Sequence, residues 1–409
     1  MRQLLIVIMC SAVLFSCQRE QEFSVRSALA LDSILENAVK QHHIPGGVAM
    51  VIKNDSLVFQ KAFGYQQMAQ KIEMQENSIF RLASMTKGLT ALAILQLVEA
   101  GKIDLMDPVY KYIPAFHSPL LLTEVLPDST FHSVPAHSDI TIHQLLTHTS
   151  GIGYGFQDED YNKIVLKNKV SEGFCEDDRT SMENTLKIAK LPLLKEPGTA
   201  NIYSMSYDVL GTLIELVSGL RYDQYIQQYI LDPLEMEDSY FIIPEDKRYR
   251  LADVYQPNEN GDGLEPTSYP DISYPVIPER RFFSGGADLC ATAADYLKFM
   301  QMIHHKGLYK GNRVLGEKFV KMMLSKQTPF NDGDSDQGYA AWMVNEKGAK
   351  NGPMTKGSYG FGGFFDTYAW TDPNLDFTAI LLLQMYPTNT HGIHETFQAY
   401  TYALIDKLK

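Results

Sequence analysis

The chain has 409 residues, of which 45% are hydrophobic and 21% are charged, so it contains enough apolar material for a large globular fold. The formal net charge of −13 argues against a nucleic-acid partner, because binding to phosphates needs a basic surface. A chain of this length fits two or three domains, or one large fold that carries an insertion.

The N-terminal residues have the pattern of an export signal. One arginine precedes an apolar stretch, together covering 2–15, and this stretch is shorter than the roughly 20 residues that a membrane-spanning helix needs. We therefore expect 1–16 to be a signal peptide. The tetrapeptide Leu14–Cys17 resembles a bacterial lipobox, which predicts a lipid anchor on Cys17, a tether over 17–24 and a place in the bacterial cell envelope, in the periplasm or on the outer membrane. Ordinary signal-peptidase cleavage, with the cysteine incidental, is the alternative.

The apolar pattern in the first third of the chain predicts a helix, a hairpin and a second, buried helix. Apolar residues recur at helical spacing over 25–41. The segment 48–53 and the one that begins at Leu57 read as two antiparallel strands joined by a turn. The segment 88–100 is apolar nearly all round, which indicates a helix in the centre of the core.

The middle of the chain, from about 104 to 280, has short helical patterns separated by polar or proline-rich segments. Thr141 begins a capping box that opens one short helix, and a longer helix is predicted over 206–217. The stretch 255–280 is rich in tyrosine and proline and has no periodicity, so we expect a long loop there, at the rim of a pocket.

Regular structure returns in the last third. The predicted elements are a helix over 292–304, strands over 364–370 and 377–383, and a closing helix over 394–408. The first and last thirds, 25–115 and 281–409, are expected to share one antiparallel sheet flanked by helices. The fold class is therefore α+β, with 116–280 as a mostly helical insertion that has long loops, and a cleft between the two parts.

Ser84 and Lys87 are the first candidates for chemistry. Ser84 is the only serine in the chain with a lysine three residues later, a spacing that places both side chains on one helical face, about 5–6 Å apart at Cβ. The serine falls at the start of the buried helix, where unpaired N–H groups and the helix dipole favour negative charge. A hydroxyl beside an amine in that field can act as a nucleophile.

Two other places in the sequence could complete such a centre. Tyr203 lies between a proline-glycine turn and the 206–217 helix, so its ring could reach a cleft; a half-buried core tyrosine is the alternative. Gly362 and Gly363 allow a backbone to approach a ligand closely, and a strand N–H there could donate to an oxyanion. A tight turn or a bulge is the alternative for these glycines.

Several motifs in one order carry a family resemblance. They are Ser84-Met85-Thr86-Lys87, Leu145-Leu146-Thr147-His148-Thr149-Ser150-Gly151, Pro197-Gly198 with Tyr203-Ser204, Pro233-Leu234-Glu235-Met236, Ser284-Gly285-Gly286 and the final glycine pair. Together they resemble the serine β-lactamase-related family, which includes class C β-lactamases, D,D-carboxypeptidases and carboxylesterase relatives. The resemblance extends over about 28–405 and implies a β-lactamase/transpeptidase-like fold, with the active site between the sheet and the insertion.

The same resemblance implies roles for individual residues. Ser84 would be the nucleophile, Lys87 its amine partner and Tyr203 the phenol that shares the proton, with either of the last two as the base. The backbone N–H groups of Ser84 and Phe364 would form the oxyanion hole. Neither a metal ion nor a cofactor is implied, and the sequence contains no His-Glu-x-x-His and no Gly-x-Ser-x-Gly motif.

Two departures from the family pattern bear on the substrate. Met205 stands where penicillin-interactive relatives have the asparagine of Tyr-x-Asn, and Phe361 stands where they have the first residue of Lys-Thr-Gly or His-x-Gly. With Gly362 and Gly363, these residues are expected to line the substrate pocket. The pattern is closer to the esterase-like branch, whose third motif is often aromatic-Gly-Gly.

The leading interpretation is a serine hydrolase that acts through an acyl-enzyme on a small-molecule ester, or on an amide of a small acyl group. A β-lactamase or D-alanyl-D-alanine carboxypeptidase is the close alternative, and an acyltransferase is a third. A non-catalytic binding or regulatory protein of the cell envelope is the alternative of another class. The sequence leaves open the oligomeric state and whether Cys175 and Cys290 form a disulfide.

Overall fold

The computed structural model describes residues 28–267, 269, 272–330, 333–387 and 391–408. The predicted signal peptide, the lipidation site Cys17 and the tether 17–24 lie outside the described residues. Within the described part of the chain, no helix combines the length and the apolar character needed to cross a bilayer.

The described residues form 17 strands and 11 α-helices. In chain order the strands are β1 (Gly46–Lys53), β2 (Ser56–Gln67), β3 (Ile72–Glu73), β4 (Phe80–Arg81), β5 (Leu120–Val125), β6 (Phe131–Pro135), β7 (Ser239–Tyr240), β8 (Tyr255–Pro257), β9 (Leu264–Pro266), β10 (Cys290–Ala291), β11 (Leu308–Tyr309), β12 (Asn312–Arg313), β13 (Ser335–Gln337), β14 (Trp342–Val344), β15 (Tyr359–Gly363), β16 (Thr367–Asp372) and β17 (Phe377–Leu382). The helices are α1 (28–40), α2 (Thr86–Glu99), α3 (Ile142–Leu146), α4 (Glu159–Lys167), α5 (Ser181–Ile188), α6 (Ser206–Ser218), α7 (Tyr222–Ile226), α8 (Ala293–His304), α9 (Glu317–Met323), α10 (Gly348–Asn351) and α11 (Ile393–Lys407).

The main sheet has eight antiparallel strands in the order β13-β14-β15-β16-β17-β1-β2-β3. It combines strands from the first and last thirds of the chain, as predicted, because β1 pairs with β17 at the centre. Successive side chains of a strand point to opposite faces. Accordingly Val48 and Met50 belong to one core cluster, whereas Ala49 and Val51 belong to another.

Helices cover both faces of this sheet. The first core cluster contains the buried residues of α2 and α8, and the second contains those of α1 and α11. Helix α2 is buried at nearly every position, which confirms the prediction from its all-apolar sequence. The helix that carries the candidate nucleophile is therefore held in the middle of the protein.

The middle of the chain contains α3 to α7 and also two hairpins, β5–β6 and β8–β9. The capping box at Thr141 is present, and α6 ends at Gly219 in the left-handed conformation, with φ of 75°. The predicted loop over 255–280 begins with the β8–β9 hairpin, so it has more regular structure than its composition indicates. The domain boundaries at 116 and 280 remain a prediction.

The strand predicted over 364–370 is wrong in its first residues. The glycine pair lies inside β15, and 364–366 form the turn to β16. Asp366 has φ of 64° and donates its backbone N–H to the carbonyl of Gly363 over 3.0 Å, which closes this turn. The predicted strand therefore begins three residues before β16, and the sequence analysis missed β15, because glycine weakens a strand pattern.

Phe361 belongs to the core and not to a substrate pocket, which corrects the expectation from its sequence position. Its side chain lies on the side of β15 that faces α2 and α8, and it is only 2% exposed. Its ring centroid lies 5.7 Å from that of Phe299 and 6.5 Å from that of Tyr296. A Cβ atom on Gly88 would lie 3.0 Å from the ring, so the first turn of α2 rests directly on it.

Replacing Phe361 by alanine should therefore weaken the core. We expect Phe361→Ala to lower the free energy of unfolding by about 3–5 kcal/mol, measured by urea denaturation. Tyr249→Ala is the matched control, because the Tyr249 ring is 72% exposed, and it should change stability by less than about 0.5 kcal/mol. Equal stability of the two variants would show that the Phe361 ring is not a core group.

Candidate active site

Ser84 lies in a 3-10 turn, Ala83–Met85, that leads directly into α2. Ala83 has φ of 45°, a left-handed conformation that costs a residue with a Cβ on the order of 1–2 kcal/mol. Backbone contacts on both sides hold this turn. The N–H of Leu82 donates to the carbonyl of Leu289 over 2.9 Å, and the carbonyl of Leu82 accepts from Thr367 Oγ1 over 3.2 Å. The strained turn is thus fixed between the sheet and α2.

The three predicted catalytic side chains meet at one atom. Tyr203 donates its hydroxyl to Ser84 Oγ over 2.5 Å, and Lys87 Nζ donates to the same oxygen over 3.2 Å. Lys87 also donates to the carbonyl of Gly286 over 2.8 Å and is 3% exposed. Its Nζ atom lies 4.6 Å from the centroid of the Tyr203 ring. Two groups that can exchange a proton with Ser84 are therefore in hydrogen-bond contact with it.

The His148 ring packs against the ring of Tyr203. The backbone N–H of Ser204 donates to His148 Nδ1 over 3.2 Å, so a neutral imidazole carries its proton on Nε2. Burial, and then the nearby Lys87 ammonium, hold the pKa of His148 well below its usual value. The ring centroids of His148 and Tyr203 are 4.6 Å apart. His148 thus remains a neutral packing group that orients the tyrosine.

Tyr154 is a member of the site that the sequence did not single out. Its ring centroid lies 5.4 Å from that of Tyr203, and Lys87 Nζ lies 5.8 Å from its centre. Burial, followed by the fields of Tyr203, Asp208 and Glu172, raises the pKa of Tyr154 well above 10, so its hydroxyl keeps its proton. Its only signal was its position soon after the 145–151 motif, in a chain with 23 tyrosines.

Two cavities meet at the nucleophile. Ser84, Tyr203, Phe156 and Phe364 line both of them. The smaller, of about 450 Å³, continues along Gly362 and Gly363 to the start of α11. The larger, of about 660 Å³, continues beneath the segment 166–179 and reaches Tyr269, within the predicted pocket rim. An ester bound at Ser84 therefore has room for a group on each side of its carbonyl.

The predicted pocket residues divide into two groups. Gly362 and Gly363 line the smaller cavity, whereas Met205 and Phe361 are buried and line neither of the two cavities described above. Met205 stands directly before α6 and is fully buried, which corrects its assignment as a pocket residue. Its position in the motif indicated contact with substrate, but its apolar side chain packs in the core.

Phe364 lies beside the nucleophile at the end of β15. Among the described residues, β14 pairs with β15 only at Tyr359 and Gly360, and no other strand pairs with the rest of β15 on that side, which borders the cleft. Phe364 follows β15 directly and lines both cavities beside Ser84. The oxyanion role of the two backbone N–H groups remains a prediction.

Neither a metal cluster nor a disulfide is found among the described residues. They contain no group of three or more metal-ligating side chains that could hold an ion. Cys175 and Cys290 are both free and buried, which answers the question that the sequence left open. Burial raises the pKa of each thiol to about 11, so neither is an activated nucleophile.

Comparison with known proteins also indicates a serine hydrolase. A family model described as Beta-lactamase matches residues 31–401. Esterase EstB of Burkholderia gladioli is 28% identical over 367 residues, which cover 87% of this chain and 90% of that protein.

Two solved structures share the fold. EstCE1, described as a hydrolase with promiscuous acyltransferase activity, superposes with a TM-score of 0.77 at 22% identity, over 94% of this chain and 98% of that chain. A penicillin-binding protein from Bacillus halodurans superposes with a TM-score of 0.66 at 22% identity, over 89% of this chain and 98% of that chain. The predicted β-lactamase/transpeptidase-like fold, an antiparallel sheet with helices, is confirmed.

The glycine pair of β15 offers a test of how closely this strand must approach the nucleophile. A Cβ atom on Gly363 would lie 2.2 Å from the carbonyl oxygen of Leu82, whereas one on Gly362 would meet its nearest atom, in Tyr368, at 3.6 Å. We expect Gly363→Ala to lower the free energy of unfolding by about 1–3 kcal/mol and to reduce activity, because β15 must move away from the Ser84 turn.

Gly362→Ala is the matched control for stability, since the neighbouring position leaves room for a methyl group. Urea denaturation of both variants, with turnover of an ester substrate, measures the difference. Equal stability of the two variants would show that the strand is free to retreat without cost.

Proposed function

The chain belongs to the Beta-lactamase family of serine hydrolases, and we propose that it is an esterase-like enzyme that forms its acyl-enzyme on Ser84. The observation that carries this proposal is the meeting of the Tyr203 hydroxyl and the Lys87 amine at Ser84 Oγ, over 2.5 and 3.2 Å. A binding protein needs no such arrangement. The substrate class that the site fits best is a small-molecule ester, or an amide of a small acyl group.

Acylation would use the three groups in turn. Ser84 Oγ attacks the carbonyl carbon, and its proton passes to the pair formed by Lys87 and Tyr203. The negative charge on the former carbonyl oxygen is stabilised by backbone N–H groups, which we assign to Ser84 and Phe364. The bond to the leaving alcohol then breaks, and the alcohol departs with the proton from the pair.

Deacylation would run the same path with water as the nucleophile. The pair takes a proton from the water as its oxygen bonds to the acyl carbon. The bond between that carbon and Ser84 Oγ breaks, the acid leaves, and the serine regains its proton. Every proton taken is returned, so the cycle needs no cofactor.

The choice of esters over β-lactams rests on the groups missing from the pocket. The position at which relatives have a lysine or histidine is Phe361, whose ring is buried in the core and cannot bind a substrate carboxylate. The position of the orienting asparagine is Met205, which is also buried. The 28% identity with an esterase over most of both chains supports the same choice.

Acyl transfer to an alcohol is the second candidate function. The two cavities that meet at Ser84 would hold an acyl group on one side and an acceptor on the other. EstCE1, which has this fold, is described as having promiscuous acyltransferase activity. Adding a primary alcohol to the assay and following the new ester separates transfer from hydrolysis.

The proposal is tested by comparing substrates and variants. The purified chain should hydrolyse p-nitrophenyl acetate and butyrate faster than nitrocefin, because the buried Phe361 replaces the lysine or histidine that would bind the lactam carboxylate. Ser84→Ala should abolish hydrolysis and labelling by a fluorophosphonate probe, and Tyr203→Phe should lower kcat by about 100-fold or more, because it removes proton transfer.

Ser56→Ala, which removes an exposed hydroxyl at the start of β2, is the control and should match the parent chain. Rapid nitrocefin turnover with negligible ester cleavage would identify a β-lactamase instead. A folded chain that shows no Ser84-dependent labelling would favour the non-catalytic alternative.

We also propose that the chain is exported and anchored to the cell envelope through a lipid on Cys17. The support is the lipobox-like sequence Leu14–Cys17. Expression of the full chain in a bacterial host with radiolabelled palmitate should label the protein, and Cys17→Ala should remove the label and release the chain from membranes. Release of the unlabelled parent chain would instead show ordinary signal-peptidase cleavage.

A further inference from the structure

The turn Ser284–Gly286, here called the glycine turn, lies between α2 and α6 and contacts both helices. Its middle residue is packed so closely against α6 that a Cβ on Gly285 would lie 2.2 Å from the carbonyl oxygen of Tyr207. On the other side, the carbonyl of Gly285 accepts from Thr90 Oγ1 on α2 over 2.6 Å. The glycine turn therefore has little freedom to move relative to either helix.

A chain of hydrogen bonds runs through this turn from Asp208 to Lys87. Ser284 donates its hydroxyl to Asp208 Oδ1, and Ser284 Oγ accepts the backbone N–H of Gly286 over 3.0 Å. The carbonyl of Gly286 then accepts from Lys87 Nζ over 2.8 Å. Through Ser284 and Gly286, the Asp208 carboxyl group on α6 thus positions the peptide carbonyl that accepts a hydrogen bond from Lys87.

The buried charges around the glycine turn balance in pairs. Asp288 has its own cation, because Arg280 donates to it over 2.6 Å and both side chains are fully buried. Asp208 and Lys87 are 2% and 3% exposed, and neither forms a direct ion pair among the described residues. Asp208 Oδ2 also has no hydrogen-bond partner there. A buried charge is costly unless an opposite charge lies near, and the positive group that lowers the pKa of Asp208 is Lys87.

We propose that Asp208 is a positioning residue for the reaction: it supplies the counter-charge for the Lys87 ammonium ion and fixes that group through Ser284 and Gly286. The inference rests on the proposed function. It holds whichever group takes the serine proton first, because both routes end in the same state. A neutral amine that accepts the proton, and an ammonium beside a phenolate that accepts it, both give a Lys87 ammonium and a Tyr203 phenol.

The pH dependence follows from the ionisation of Asp208. Burial raises its pKa to about 6, against the lowering effects of the Ser284 hydrogen bond and of Lys87. Above that pH the carboxylate stabilises the ammonium that forms during acylation; below it, the charge is lost and acylation should slow. The titratable groups around Asp208 are Lys87 on α2, Tyr222 on α7, Tyr154 before α4, and Asp288 with its partner Arg280.

The rate at which a fluorophosphonate modifies Ser84, measured from pH 5 to 9, tests the proposal without knowledge of the natural substrate. In the parent chain we expect this rate to fall below a midpoint near pH 6, where Asp208 gains a proton. Asp208→Asn removes the charge but keeps an acceptor for Ser284. It should reduce the rate at pH 8 by about tenfold, which corresponds to one pKa unit of lost charge stabilisation, and remove the fall in rate near pH 6, because an amide does not titrate there.

Ser284→Ala provides an independent variant that keeps the carboxyl group of Asp208 but removes the hydroxyl that joins it to Gly286. The hydrogen bond from Ser284 lowers the pKa of Asp208, so its loss should raise that pKa and move the midpoint to higher pH. One variant should therefore remove the transition near pH 6 and the other should move it to higher pH, which a purely structural defect would not do.

Asp372→Asn is the matched control, since Asp372 is fully buried but accepts from Thr355 and Tyr402 at the other side of the sheet. It should lower thermal stability and leave the midpoint unchanged. An unaltered midpoint in folded Asp208→Asn or in Ser284→Ala would overturn the proposal. Absence of Ser84 labelling in the parent chain would instead contradict the proposed function, so the two failures are distinguishable.

Discussion

Two close approaches of backbone to backbone determine the geometry of this site. Strand β15 reaches the turn before Ser84 at Gly363, and the glycine turn reaches α6 at Gly285, in both cases at a distance that excludes a Cβ atom. The first contact fixes the nucleophile relative to the strand that would stabilise the oxyanion. The second fixes the lysine relative to the helix that follows Tyr203. A centre that must hold reacting groups within a few tenths of an ångström needs this kind of rigid support.

The sequence was informative wherever local chemistry alone decides the structure. The all-apolar pattern of α2 predicted its burial, the capping box at Thr141 predicted the start of α3, and the serine-lysine spacing predicted a contact that the structure shows at 3.2 Å. Tyr203 needed the family resemblance, because 119 residues separate it from the serine that it contacts. Long-range contacts of this kind leave no periodic signal in a single sequence.

The two wrong pocket assignments have one physical cause. Phe361 and Met205 were assigned to the pocket from their positions in motifs, but large apolar side chains gain about 1.5–3 kcal/mol by leaving water. Both turn into the core, and only the glycines beside Phe361 remain at the cleft. The sequence analysis missed Tyr154 for a different reason. One tyrosine in a loop has no distinguishing pattern, and only the fold brings it beside Tyr203.

The arrangement separates substrate recognition from proton transfer. The two departures from the family pattern, Phe361 on β15 and Met205 directly before α6, are buried apolar residues at positions where polar groups of relatives would meet a substrate. The groups that handle the proton lie behind them, on α2, on the buried face of α6 and in the glycine turn. Asp208 stands less than one helical turn after Met205, yet its carboxyl group faces Ser284 in the core, away from the cleft. Because the counter-charge of the lysine comes from this buried side, loss of polar groups at the cleft leaves the balance of charge around Lys87 intact. A site that lacks the lysine or histidine of the family's third motif can therefore still retain the nucleophile and its proton-transfer groups.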